Sequence, residues 1–258
     1  MKRWSTAVMI TAIMLVPTAA HAGDVPICTV GVNPFAFTNV PAIGVCVNNV
    51  LFTLKEFTGT GKPYTMSSAT RSFNTGGTFT LSAIFNNDPF VSFTFSSVVL
   101  PRFGVVTFDV WFNTPVVGGP YNRASSAATL NVTADGTNAS ALVNNGAYPS
   151  YISGYGDATN LNVNTGSGPC SAATAGAATT ATTTCTPPGA SASFAPISPS
   201  VLTSRLSYTQ SAGNGQSTAA WTGIVSLTST TVPEPATLSL IVAGFLAIGA
   251  VRFRRGRS

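Results

Sequence analysis

Apolar and small polar side chains alternate with a period of two through much of the chain, and long amphipathic helix patterns are scarce. From Thr78 to Phe85, Phe79, Leu81, Ala83 and Phe85 share one face, and Thr78, Thr80 and Ser82 the other. Asn86-Asn87-Asp88-Pro89 then marks a turn. From Phe90 to Val99, Val91, Phe93 and Phe95 alternate with Ser92, Thr94 and Ser96. From Phe103 to Phe112, Val106, Phe108, Val110 and Phe112 alternate with Thr107, Asp109 and Trp111. Three strands at hairpin spacing predict an antiparallel meander. Val45 to Phe57 predicts an early strand or two. Thr129–Thr133 and Ser140–Val143 flank Asp135-Gly136, which predicts a hairpin. Val201–Thr209 and Ala220–Thr228 predict another pair, across Ser211-Ala212-Gly213-Asn214-Gly215. About eight to ten short strands predict an all-β fold, a single antiparallel β-sandwich, with a barrel as the alternative; a membrane β-barrel is disfavoured because no sustained lipid-facing band with aromatic girdles appears.

Composition sharpens this picture. Only 7% of the 258 residues are charged, against about 25% in an ordinary globular protein. The strand faces that do not carry the core are mostly Ser, Thr and Asn rather than Lys and Glu, which suits β-structure but leaves few charges to guard sheet edges. The formal net charge of +5 belongs to the two ends. Between residues 23 and 231, Lys55, Lys62, Arg71, Arg102, Arg123 and Arg205 balance Asp24, Glu56, Asp88, Asp109, Asp135 and Asp157. A neutral body offers no basic face, so nucleic acid is not an expected partner.

The N-terminus has the order of a secretory signal peptide over residues 1–22. Lys2 and Arg3 precede an apolar run from Trp4 to Val16, Pro17 ends it, and Ala20-His21-Ala22 is an A-x-A cleavage site. The run is short for a membrane span, which needs about 20 residues. His21 is the only histidine. Cleavage after Ala22 leaves a mature body without the base of a Ser-His or Cys-His site and without a histidine metal ligand.

The C-terminus, residues 232–258, has three parts. Val232-Pro233-Glu234-Pro235 is followed by an apolar stretch from Ala236 to Val251, then by Arg252, Arg254, Arg255 and Arg257. As a helix the stretch reaches about 24 Å, against about 30 Å of hydrocarbon. Arg252 extends that reach by snorkelling, and the basic cluster holds the end on the cytoplasmic side. The prolines keep the segment before the helix extended.

This ordered trio resembles the PEP-CTERM sorting signal of Gram-negative bacteria. The resemblance covers about the last tenth of the chain, and Phe253 and Gly256 interrupt its arginine run. It implies recognition and cleavage by exosortase, an integral-membrane cysteine protease. It also implies passage through the inner membrane, transient anchoring by the C-terminal helix, and delivery to the cell envelope, surface or extracellular matrix of an exopolysaccharide-making host. The L-P-x-T-G motif of the Gram-positive sortase signal is absent, and a GPI signal would not end in arginines.

The body, residues 23–231, holds four cysteines. Three pairings are formally open. Proximity in an oxidising compartment favours Cys28–Cys46 and Cys170–Cys185, each contributing about 3 kcal/mol in the chain-entropy model. Residues 165–200, rich in Ala, Thr, Ser and Pro, are expected to be a surface loop insertion. Pro115–Pro120 is the other boundary candidate.

Candidate chemistry is sparse. Glu56 with Asp88, Asp109, Asp135 or Asp157 would have to supply the paired carboxylates of a glycosidase, and the sequence brings no pair together. Asp88, Asp135 and Asp157 sit in turn contexts without a calcium-loop pattern. Asn131 and Asn138 match a glycosylation pattern with no expected use in a bacterium. Tyr148, Tyr151 and Tyr155 form a candidate sugar-stacking cluster. No catalytic residue, cofactor or metal is expected. The leading expectation is a structural or adhesive protein of the surface or exopolysaccharide matrix. The alternative is a carbohydrate-binding module on the same route. A glycoside hydrolase ranks behind both, as does an ice-binding protein, for which no regular T-x-T ladder appears along the chain.

Overall fold

A computed structural model describes residues 27–34, 41–55, 57–58, 63–73, 77–86, 89–116, 118–145, 149–153, 163–164, 169–175, 178–198 and 201–229. The described residues form two antiparallel sheets of eight strands each, packed face to face as a sandwich. They contain no α-helix; a single 3-10 turn spans Pro101–Phe103. The first sheet contains β1 (Ala42–Val47), β2 (Val50–Leu54), β7 (Val105–Pro115), β9 (Ser140–Asn145), β10 (Pro149–Ser153), β11 (Val163–Asn164), β12 (Cys170–Ala173) and β15 (Val201–Ala212). Its main path runs β11-β10-β15-β7-β1-β2, with β9 on β15 and β12 on β9. The second contains β3 (Phe57–Thr58), β4 (Tyr64–Phe73), β5 (Gly77–Asn86), β6 (Phe90–Val99), β8 (Tyr121–Asp135), β13 (Thr180–Cys185), β14 (Ala190–Ile197) and β16 (Gln216–Thr228). It runs β13-β8-β16-β6-β5-β4-β3, with β14 on β8.

The alternation observed is the one expected. On β5, Phe79, Leu81, Ala83 and Phe85 are buried and the residues between them are not. On β6 the inward residues are Val91, Phe93, Phe95, Ser97 and Val99. The inner faces meet through aromatic rings. Phe93 stacks on Phe112 at 4.5 Å, and Phe95 meets Phe108 edge-on at 5.9 Å. A buried polar cluster also crosses between the sheets. The Ser97 and Tyr208 hydroxyls share a hydrogen bond of 2.6 Å, Ser97 donates to Gln210 Oε1, and Gln210 Nε2 donates to the Ser217 carbonyl at 2.9 Å. Burial pushes the Tyr208 pKa far above its ordinary value, with the Ser97 bond a smaller opposing effect.

Several expected pairings are replaced. β5 and β6 form the expected hairpin. β7 does not continue it as a meander: after Pro101–Phe103 and Gly104, at φ 63°, the chain crosses to the other sheet. Asp135-Gly136 likewise does not close a hairpin, because β8 pairs with β16 while β9 pairs with β15. Gly136, at φ 127°, instead donates its N–H to the Thr179 carbonyl at 2.7 Å. β15 and β16 are also split between the sheets, with the corner at Gly213–Gly215. Gly215 must be glycine there: its φ is 85°, and a Cβ would lie 2.3 Å from the Asp135 carbonyl oxygen. A true local hairpin joins β1 and β2, where Asn48 and Asn49 both take positive φ as a type I′ turn requires.

The strand count exceeds the expected eight to ten, partly because residues 165–200 are not simply a loop. β12, β13 and β14 arise within them and extend both sheets. β12 buries Cys170 and Ala172 beside β9, whereas the Thr-rich β13 carries no buried stripe; β-branched Thr suits an exposed edge strand, and β8 offers the ladder that β13 and β14 share. Pro115–Pro120 links β7 to β8 across the sandwich.

Candidate functional site

Both expected cysteine pairs are bonded, Cys28–Cys46 and Cys170–Cys185, and each fastens a different part of the surface. Cys46 lies on the outer face of β1, opposite Asp109 of β7. Its bond to Cys28 lays residues 28–33 over that face. The Gly31 N–H donates to Asp109 Oδ2 at 2.7 Å, and Trp111 Nε1 donates to the same oxygen at 3.1 Å. Arg205 Nε donates to Asp109 Oδ1 and forms an ion pair with it. The guanidinium also stands 5.2 Å from the Trp111 ring centroid. Asp109 is 0% exposed, so its charge is tolerated because hydrogen bonds and a cation surround it. Sequence alone put Asp109 and Trp111 on a solvent face. An aspartate and a tryptophan two residues apart on the polar side of a strand were the available signal that something covers them.

The second disulfide joins β12 to β13 and sits one residue before Thr186-Pro187-Pro188-Gly189. That segment links β13 and β14 along the same edge of β8 and rises beside the outer face of the second sheet. Pro187 is buried, and Gly189 comes close to the Ser126 carbonyl.

Hydroxyl groups cover this outer face in rows that cross the strands. Ser82 and Thr94 share a hydrogen bond of 2.6 Å, Thr70 and Thr80 one of 2.9 Å, and Thr133 and Thr182 one of 2.9 Å. Two depressions open on the face, of about 420 and 280 Å³, and share Ser92, Phe93 and Thr94 as a common wall. The larger ends at Thr186, Pro187 and Gly189, and the smaller reaches Thr65 on β4. No lining residue is charged. The regularity runs across strands rather than along the chain, which is why no repeat announces it.

The remaining candidates separate. Asp109 and Asp135 lie on outer faces of opposite sheets, and Asp135 accepts a hydrogen bond from Thr180 at 3.2 Å. Glu56, Asp88 and Asp157 lie outside the described residues. Tyr151 stands in β10, whereas Tyr148 and Tyr155 are outside. Asn131 accepts a hydrogen bond from Thr184 at 2.7 Å, and Asn138 occupies the turn after β8 at φ 53°. Among the described residues no three Cys, Asp, Glu or His side chains group to hold a metal ion. The signal peptide with Ala20 and Ala22, the motif Val232–Pro235, the apolar stretch and Arg252, Arg254, Arg255 and Arg257 all lie outside the described residues. Among the described residues no helix is long and apolar enough to cross a membrane, which bears on neither terminus nor on β-barrels.

β16 ends at Thr228, and a family model of the PEP-CTERM protein-sorting motif matches residues 231–255. The chain carries a PEP-CTERM sorting motif. The match spans Val232, Pro233, Glu234 and Pro235 and three of the four arginines, Arg252, Arg254 and Arg255. This PEP-CTERM signal supports an exported protein, passed through the membrane and processed by exosortase on its way to the envelope. No curated protein matches the chain. A solved structure titled "Structure of infectious bursal disease virus Gx strain" is similar at 10% identity, covering 87% of this chain and 71% of that one; its TM-score of 0.16 carries no argument.

Proposed function

We propose that the chain is a non-catalytic structural or adhesive protein of the cell surface or exopolysaccharide matrix, delivered there by its PEP-CTERM signal. The observation that carries this reading is the sorting motif at residues 231–255, immediately after the last strand of a disulfide-bonded sandwich. Disulfides fit a protein that works outside the reducing cytoplasm. Asp109 is buried, and both its oxygens are taken up by Arg205, Trp111 and Gly31.

The apolar stretch before Arg252 is barely long enough to span, and the arginines stop it passing through. Such a tail suits a transient hold better than a lasting anchor. The sequence puts prolines at 233 and 235, residues that disfavour helix and suit the extended form in which a protease binds backbone. We place cleavage near Val232–Pro235. C-terminal peptide mapping of the exported protein tests this. Peptides ending before Ala236 are expected; recovery of most molecules with Ala236–Ala250 still attached, in cells with working exosortase, would defeat it. A carbohydrate-binding role on the same route is the second reading, favoured by the uncharged depressions beside Pro187.

A further inference from the structure

We propose that the outer face of the second sheet is a binding groove for an uncharged polysaccharide chain lying across the strands. This rests on the reading of the body as a partner of matrix polysaccharide and names the surface that does it. The register sets two parallel rows on the face. One is all hydroxyl: Thr129, Thr222, Thr94 and Ser82 are successive cross-strand partners. The adjoining row is Ala127, Ile224, Ser92 and Ile84, mostly apolar. Ile84 and Ile224 are 42% and 45% exposed, apolar surface that a ligand on this face would cover.

A sugar chain presents that same pair of surfaces, hydroxyl edges beside C–H faces. The hydroxyl row can exchange hydrogen bonds with it while the isoleucines take the C–H faces. The two depressions are lined by no charged side chain, Asp135 standing farther along β8, and this selects among polymers. An acidic polysaccharide would be desolvated here without a cation to meet it, whereas a neutral one leaves no charge unpaired. A peptide strand is a poorer occupant, because the groove crosses the interior of the sheet, where ladder groups are already paired, and not its edge.

The dimensions call for a polymer. From β8 to β4 the groove crosses four inter-strand spacings, about 19 Å. One end is walled by Thr186–Gly189, which the Cys170–Cys185 bond fixes one residue upstream. A wall set before the ligand arrives lowers the ordering cost of binding.

The test is affinity electrophoresis of the exported protein, purified from producing cells. Native gels contain dextran, galactomannan or mixed-linkage β-glucan as neutral probes, and alginate as the acidic one. Ala127→Arg and Thr222→Lys both replace exposed, outward-facing residues, and Thr53→Lys on β2 of the other sheet is the control. Wild type is expected to be retarded by at least one neutral polymer and not by alginate. Each groove variant should weaken that retardation about ten-fold or more, with an unchanged thermal melt, and Thr53→Lys should match wild type. Neutral retardation that survives in both groove variants overturns the groove and leaves the polysaccharide reading standing. Retardation by alginate alone, or by none of the four, overturns the groove and the polysaccharide partner together. Export and processing are decided separately by the peptide map.

Discussion

Asp109 shows how one buried charge depends on its neighbours. Its two oxygens are used by Arg205, Trp111 and Gly31, so removing one partner strands the rest. Arg205→Met should cost about 3 kcal/mol, because an uncompensated carboxylate then stays buried. Asp109→Asn with Arg205→Met should cost clearly less than the two single changes summed. Urea unfolding of the four proteins measures this, and strict additivity would contradict the coupling. Tyr208 gives a pH signature. Its pKa is raised in the folded protein by burial, so the native state keeps the proton that the unfolded chain releases near pH 10. Its contribution is therefore present below that pH and is lost as pH rises further. Stability should fall with pH above about 10, and Tyr208→Phe should flatten the slope there while losing the Ser97 hydrogen bond at every pH. An equal slope in both proteins would assign the effect to other groups.

At the scale of elements, alternation identifies strands but not partners. β5, β6 and the cores of β15 and β16 are legible because their side chains alternate between a buried and a less buried face, and β7 because its sequence alternates although both its faces are covered. The corners after β6, β8 and β15 look like hairpin turns because the same glycine and polar residues serve any sharp reversal. What differs is where the next strand finds a ladder: β16 enters between β6 and β8, and β15 lies beside β7. Gly215→Ala should destabilise this corner by more than about 1 kcal/mol, since the substitution is strained and meets Asp135 backbone. Chemical denaturation would show it, and a neutral result would mean the corner relaxes. β13 depends more on its staple than on burial, as its residues are mostly exposed. Cys170→Ala with Cys185→Ala should cost about 3 kcal/mol, with amide exchange in β13 faster than in the unsubstituted protein. Unchanged exchange in β13 would show that its ladder with β8 suffices.

For the whole molecule, the two disulfides and the sorting tail belong to one sequence of events. Export brings the body to a compartment where the cysteines can pair, the tail holds it there for processing, and the pairs close residues 28–33 and the Pro187 wall onto the sandwich. Denatured, unreduced exported protein should therefore show no free thiol by labelling. Stoichiometric labelling of Cys170 or Cys185 would mean that the wall is left unfastened. Deletion of Ala236–Ser258 should leave an unprocessed body in the periplasm, measured by fractionation. Unchanged surface display would mean that another segment supplies the address.

Short-range patterns carry most of what the chain states openly. A sorting signal is recognised as linear sequence, so Val232–Pro235, the apolar stretch and the arginines are visible without a fold. Strand alternation is visible for a similar reason, since neighbouring side chains point to opposite faces. The Asp109 cluster joins Asp109 and Trp111 to Gly31 and Arg205, which stand far from them in sequence. The groove joins five strands whose order in the sheet is not their order in the chain. Both were decided by tertiary structure, because pairing depends on which ladder and which buried face each strand can reach, and that choice is made by the whole sandwich together.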